Sequence, residues 1–302
     1  MKPLINLIII LSLSFSCKIC NAQADSSKKS YFKLNLNYLS NAVYFGRKDS
    51  GIVPYLRSSI SYFDKSGFYV SSGVAMLVSP DEPKRIDLVN IDAGYSFSIK
   101  KIDLGVYASK FFYSNASFAV GSELKGMIGA YAGYDLGVIN VNLGGDILFT
   151  TNTDYSSSLG ISHPFEMGEE NKTWTFTPTL QMNAGTQYFN EAYYEFRKFS
   201  FTTTAGNSGN GSGKGKGHSN KSNSGSGSTA IKKVTYYDNN KFTILDYELS
   251  VPVNYETKHW GIYTNPVVAF PTNAASYAID NVLQKEKLST AFFIEVGAFI
   301  KF

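Results

Sequence analysis

Two carboxylates, Asp246 and Glu248, stand two residues apart in TILDYELSVPV, and an extended chain puts both on one face. Such a pair can share a proton and work as acid and base. It can equally sit in a hydrogen-bonded network with Arg57 or Lys125 as partners. No nucleophile or substrate cleft accompanies the pair, so the network is the simpler reading. Ser162 and His163 are adjacent, which on a strand sends hydroxyl and imidazole to opposite faces. That argues against a Ser/His lipid hydrolase on an outer wall, and His163 is flanked two residues away by Ile161 and Phe165. His163, His218 and His259 lie far apart, and no HExxH-like metal spacing occurs. GSGKGKG lacks the GxxxxGK[ST] spacing of a phosphate-binding loop. The residues imply no cofactor, no metal and no enzyme.

The elements carrying these residues repeat one pattern. In the last strand Phe292, Ile294, Val296, Ala298, Ile300 and Phe302 form an unbroken apolar face, while Phe293, Glu295, Gly297, Phe299 and Lys301 form a mixed one. In WTFTPTLQMNAGTQY, Trp174, Phe176, Pro178, Leu180 and Met182 oppose Thr175, Thr177, Thr179, Gln181 and Asn183. Period-2 alternation of this kind marks β-strands with two unlike faces, and 21 Tyr with 22 Phe favour β-structure. The polar faces hold Asn, Thr, Ser, Gly and Gln with few charges. A soluble sandwich would show more Lys and Glu on its outer faces. The alternation fits a barrel with lipid outside and polar side chains within.

Twelve strands are expected: 31–45, 52–63, 67–78, 86–99, 101–113, 122–136, 138–150, 156–167, 173–188, 242–255, 258–270 and 288–302. Short turns alternate with long connections, and an even count returns both ends to one side, as membrane barrels do. The short turns are expected in the periplasm and the long loops outside the cell. Aromatics fall at both strand ends, including Trp174, Trp260 and Phe302 at the short turns and Tyr44, Phe45, Phe112 and Phe189 at the long loops. They are read as two interfacial girdles.

Residues 1–24 have the parts of a cleaved export signal: Lys2, an apolar stretch too short to span a membrane, and Ala22-Gln23-Ala24. Both cysteines, Cys17 and Cys20, fall inside it, so no disulfide is expected in 25–302. With 28 basic against 24 acidic residues, and Lys2 and Lys18 in the leader, the charge balance points away from nucleic acid. Only about six residues would precede the first strand after cleavage, leaving no room for a plug domain. Residues 190–241 read as a long external loop, and 206–229 within it as a flexible Gly/Ser/Lys-rich segment. For Lys214, Lys216 and Lys221 of that segment a solvated linker is the simpler reading, and contact with acidic lipopolysaccharide or glycans the sharper one.

By parity Lys33, Arg57, Asp92, Asp103, Lys125, Asp146, Asp246, Glu248, Glu295 and Lys301 point into the lumen. Arg57, Asp92, Asp146, Glu248 and Glu295 fall nearest mid-height. Isolated buried charges are costly, so these need water or partners. Two readings stay open: a narrow aqueous channel with a slight cation preference, or a salt-bridged network that closes the barrel.

The stretches NAVYFGRKDSGIVPYLRSSISYFDKSGFYVSSG and TPTLQMNAGTQYF resemble small outer-membrane β-barrel proteins of the Bacteroidota type. The ending Ile294, Val296, Ala298, Ile300, Phe302 likewise resembles the C-terminal assembly signal of outer-membrane barrels. The resemblance implies a location in the outer membrane among lipid and lipopolysaccharide, and recognition of the last strand by barrel-assembly machinery. It brings no biochemical activity with it.

Overall fold

The computed structural model describes residues 29–48, 52–80, 83–114, 117, 124–150, 152–169, 172–189, 234–279 and 281–302. The expected export signal, the Gly/Ser/Lys-rich segment and most of the 190–241 loop lie outside the described residues. One antiparallel sheet closes on itself with twelve strands. They are β1 (Tyr31–Leu39), β2 (Tyr55–Phe63), β3 (Phe68–Leu77), β4 (Arg85–Ile99), β5 (Ile102–Tyr113) and β6 (Gly126–Asp135). Then come β7 (Asn140–Phe149), β8 (Thr153–Ser162 continued by Phe165–Glu169) and β9 (Lys172–Phe176 continued by Thr179–Gly185). The last three are β10 (Thr243–Ser250 continued by Val253–Thr257), β11 (Trp260–Pro271) and β12 (Ala291–Lys301).

The interruptions in β8, β9 and β10 fall at Pro164, Pro178 and Pro252, because proline brings no N–H to the ladder. Each strand pairs with its neighbour in sequence. Closure comes from β12, which pairs with β11 (Trp260 opposite Ile300) and with β1 (Lys33 opposite Lys301, Leu39 opposite Glu295).

The outer wall is apolar and open: Leu36, Val106, Leu143 and Ile128 are each more than half exposed. Apolar surface left in water costs about 25 cal/mol per Å², and a whole wall of it is stable only against lipid. This is a transmembrane barrel.

Inside, aromatic rings lie flat over glycines on the next strand. Tyr69 faces Gly94, Tyr131 faces Gly105, Tyr107 faces Gly129, Tyr263 faces Gly297 and Phe299 faces Gly261, each pair directly opposite. A Cβ at Gly94 would sit 2.5 Å from the Tyr69 ring. These five glycines are thus the seats of inward aromatics.

At the short-turn end Asp64 organises the β2–β3 turn, accepting from Ser66 N (2.9 Å), Ser30 Oγ (2.9 Å) and Tyr62 Oη (3.1 Å). The Ser66 bonds first, then Ser30 and Tyr62, hold its carboxyl well below the usual carboxylate range. A depressed folded value stabilises the fold above the ordinary carboxylate pKa and ceases to do so as pH falls through the depressed one. Asp64→Asn is therefore expected to lower the guanidinium midpoint slightly near neutral pH. The gap from the native chain should close in strong acid. A gap that persists in acid would contradict this account.

The long-loop end holds what the strand pattern did not announce. β1 stops at Leu39, and the next residues fold inward as a hairpin, Val43–Tyr44 against Arg47–Lys48. Its apex is Phe45–Gly46, both left-handed (φ 46 and 70), the backbone of a tight hairpin turn. Val43, Tyr44 and Phe45 are fully buried and join a core with Leu77, Leu88, Phe111, Met127, Leu148 and Phe293 from the inner wall. The Tyr44 ring meets Phe189 edge-on at 4.8 Å. Burial, and after it the charges of Asp154 and Asp146, pushes its phenol well above the ordinary tyrosine value.

The girdle reading needs a correction here. Phe112, Phe149 and Phe270 do face outward at the long-loop end, but Tyr44, Phe45 and Phe189 pack inside. Beyond the barrel Val234–Tyr237, Ser276–Ile279 and Val282–Lys285 form a small antiparallel sheet.

Candidate functional site: the charged lumen

Between that apolar core and the short-turn end, the inner face carries a layer of buried polar side chains. Asn37, Asp92, Asn183, Asp246, Glu248, Asn265 and Glu295 are all at most 4% exposed. On the closing seam Arg57 of β2 donates through Nε to Asn37 Oδ1 (2.8 Å) and pairs through Nη2 with Glu295 Oε2 (3.0 Å). Tyr263 donates to Glu295 Oε1 (3.1 Å) and accepts from Asn35 (3.2 Å). Four strands, β11, β12, β1 and β2, are tied by this one cluster.

The other acids use neutral donors. Asp92 accepts from Asn90 on its own strand. Asp146 accepts from Tyr107 on β5 and from Ser156 on β8 (2.9 Å). Asp246 accepts from Asn183 on β9 (2.8 Å), which in turn accepts from Gln181 (2.8 Å). Glu248 lies two residues further along the same face, buried, with its Oε1 and Asp246 Oδ2 making no hydrogen bond among the described residues.

The expected pairing of Asp246 and Glu248 with Arg57 or Lys125 is not what forms. Arg57 goes to Glu295. Lys125 is exposed at the rim beside the start of β6, because the alternation slips there and Leu124 and Met127 are the buried residues. Among the described residues of this layer the five acids Asp92, Asp146, Asp246, Glu248 and Glu295 outnumber the guanidinium of Arg57, and the lumen is acidic at mid-height. Among the described residues no group of three or more Asp, Glu, His or Cys converges as a metal site.

Toward the short turns the lining changes again. Ser59, Ser61, Ser71, Ser96, Ser158 and Gln181 are half-buried, so water reaches this part of the lumen. Near that end Lys301 pairs with Glu256, and Lys33 sits 4.0 Å from the centre of the Phe299 ring. The result is a polar vestibule, an acidic layer and then a dry core with the hairpin inside it. His163 bonds the Val138 carbonyl and packs edge-on against Phe165 at 4.3 Å. Its neighbour Ser162 lies on the inner side, in register with Thr179.

Several residues that shape the site had no sign in the strand pattern. Asp154, fully buried, accepts from Thr186 Oγ1 (2.6 Å) and from the backbone N–H of Tyr188 and Phe189 (both 2.9 Å). It stood in an expected loop, although it shares parity with Ser156 and Ser158. Arg47 also lay in an expected loop, and its partners are far away in sequence.

No protein-family model matches the chain, and no curated protein matches it. Solved structures of similar shape include a KdgM porin, 11% identical, covering 89% of this chain and 99% of the other at a TM-score of 0.44. A NanC porin is 9% identical, with coverages of 88% and 98% and a TM-score of 0.41. LpxR from Salmonella typhimurium is 7% identical, with coverages of 89% and 99% and a TM-score of 0.45. At these identities and scores the likeness says nothing of what this chain binds or does.

Proposed function

We propose that the chain is a passive outer-membrane channel for cations and small polar solutes, closed in the conformation described. The observation that carries this is the change of lining along the axis. Wall side chains alone leave a wetted vestibule and an acidic layer, and the dry block beyond them is centred on a loop hairpin. Carboxylates that outnumber cations along a narrow path favour cations over anions. The outer-membrane setting follows from the resemblance to barrels of the Bacteroidota type. So do the long loops facing outward, the contact with lipopolysaccharide, and assembly through Ile294, Val296, Ala298, Ile300 and Phe302.

The test is conductance in planar bilayers of a variant whose residues 42–47 are replaced by a short Gly-Ser link. Steady cation-preferring steps are expected. Asp92→Asn with Glu248→Gln in that background should move the reversal potential toward non-selectivity. A correctly folded variant that stays silent would sink the channel. A second reading, a closed barrel that presents its loops to a partner, is favoured by the buried Arg57–Glu295 pair and the dry core. That silence is its expected result.

A further inference from the structure

We propose that the inward hairpin is a gate, and that Arg47 together with Glu286 is its latch; this rests on the channel reading above. Among the described residues the hairpin's backbone pairs only with its own loop. Val43 lies in register with Lys48 and Tyr44 with Arg47, and Ala42 N donates to Val53 O (2.9 Å). The last bond to the wall before it is Ser40 N to Ile294 O (2.9 Å). No strand-to-wall ladder therefore has to break for the hairpin to leave the lumen.

What holds it is the apolar burial of Val43, Tyr44 and Phe45, together with one side chain. Arg47 is 5% exposed, and its guanidinium spends its donors on six residues. Nε meets both Glu286 carboxylate oxygens at 3.1 Å. Nη1 donates to the carbonyls of Phe45 (3.0 Å) and Leu245 (3.3 Å). Nη2 donates to Gln187 Oε1 (3.2 Å) and to the carbonyls of Thr272 (3.1 Å) and Asn273 (3.2 Å).

Of these acceptors Glu286 alone is charged, and it belongs to the outer loop sheet. It ends the hairpin of Ser276–Ile279 and Val282–Lys285, where Glu286 N donates to Ala275 O (2.8 Å) and Glu286 Oε2 accepts from Ala275 N (3.1 Å). Moving that small sheet withdraws the carboxylate that is hydrogen-bonded to a buried guanidinium. The left-handed Phe45 adds a push in the same direction, since a bulky residue there is strained and held only by its surroundings. Latch, handle and gate are thus three connected pieces, and the handle is the piece that stands outside the barrel.

The experiment records single-channel traces from the full native chain, Glu286→Gln, Arg47→Ala and the 42–47 replacement, with folding checked by the heat-modifiable gel band. The native chain should be closed for most of the record. Glu286→Gln keeps the shape and loses the charge, so its open fraction should rise by about tenfold, as expected for the loss of a charge-assisted hydrogen bond. Arg47→Ala should rise further, and the replacement should stay open. If Arg47→Ala does not fold, Glu286→Gln still decides. Equal open fractions in the native chain and Glu286→Gln, with the replacement conducting, would overturn the latch and leave the channel standing. A native chain as open as the replacement would overturn the gate. A silent replacement would remove the channel and the gate together.

Discussion

Glu295→Ala is expected to destabilise the barrel by about 3–5 kcal/mol, the loss typical of removing one partner of a buried ion pair. The Arg57 side chain is 12% exposed and that of Glu295 3%, so the stranded guanidinium cannot recover its hydration. Tyr263 would lose its acceptor in the same step. Replacing both partners is a different case. Arg57→Met with Glu295→Leu removes two desolvation costs together, and buried pairs exchanged for apolar groups of like volume are often neutral. The double variant should therefore recover most of the loss. Lys241 and Asp238 offer the contrast: their pair (2.8 Å) has side chains 64% and 66% exposed. Lys241→Ala should shift stability by less than about 1 kcal/mol. Guanidinium unfolding followed by tryptophan emission measures all three variants, since Trp174 and Trp260 both stand on the lipid-facing wall. Glu295→Ala within about 0.5 kcal/mol of native would mean that water already shares the pair.

The barrel could be read in advance because lipid outside and polar lumen inside impose opposite demands on alternate residues. One strand such as β12 therefore shows both environments in eleven letters. The ends of the strands were clear wherever a tight turn cut the alternation, as at Asp64–Gly67. The hairpin escaped for the same reason the strands were visible. AVYF continues the apolar character of β1, so the first strand was expected to run to residue 45, whereas pairing stops at Leu39. A tight hairpin usually carries Asn-Gly at its apex, and here Phe45 takes the first left-handed place.

Nor could the latch be inferred. The partners of Arg47 include Gln187 and Glu286, 140 and 239 residues away. Lys125 was assigned to the lumen by counting parity through a point where the alternation slips. Mid-height acids were legible as acids on an inner face, but their donors were not. Which of Tyr107, Ser156 or Asn183 meets which carboxylate depends on register between strands, and register is set by the closed sheet as a whole.

Register also turns an ordinary-looking substitution into a severe one. Gly129→Ala on β6 is expected to destabilise the barrel by about 2–5 kcal/mol, combining overpacking with a lost charge-assisted hydrogen bond. A Cβ there would lie 2.4 Å from Asp146 Oδ1 and 2.4 Å from Tyr107 Cζ. It must displace either the ring or the carboxylate, and those two groups are hydrogen-bonded to each other. Displacing Tyr107 also disturbs its packing beside Tyr131, whose centroid is 6.5 Å away. The opposing gain, the smaller backbone entropy of an unfolded chain with alanine, is worth only about 0.4–1 kcal/mol. Gly145→Ala on β7 separates the two effects. A Cβ at Gly145 has Ser156 O at 3.8 Å as its nearest neighbour, so that variant should keep the entropic gain and show native stability or slightly better. Equal midpoints for the two variants would mean that Tyr107 can leave its seat over Gly129 at no cost. The inward aromatics would then be fillers of the lumen, with no part in holding neighbouring strands together.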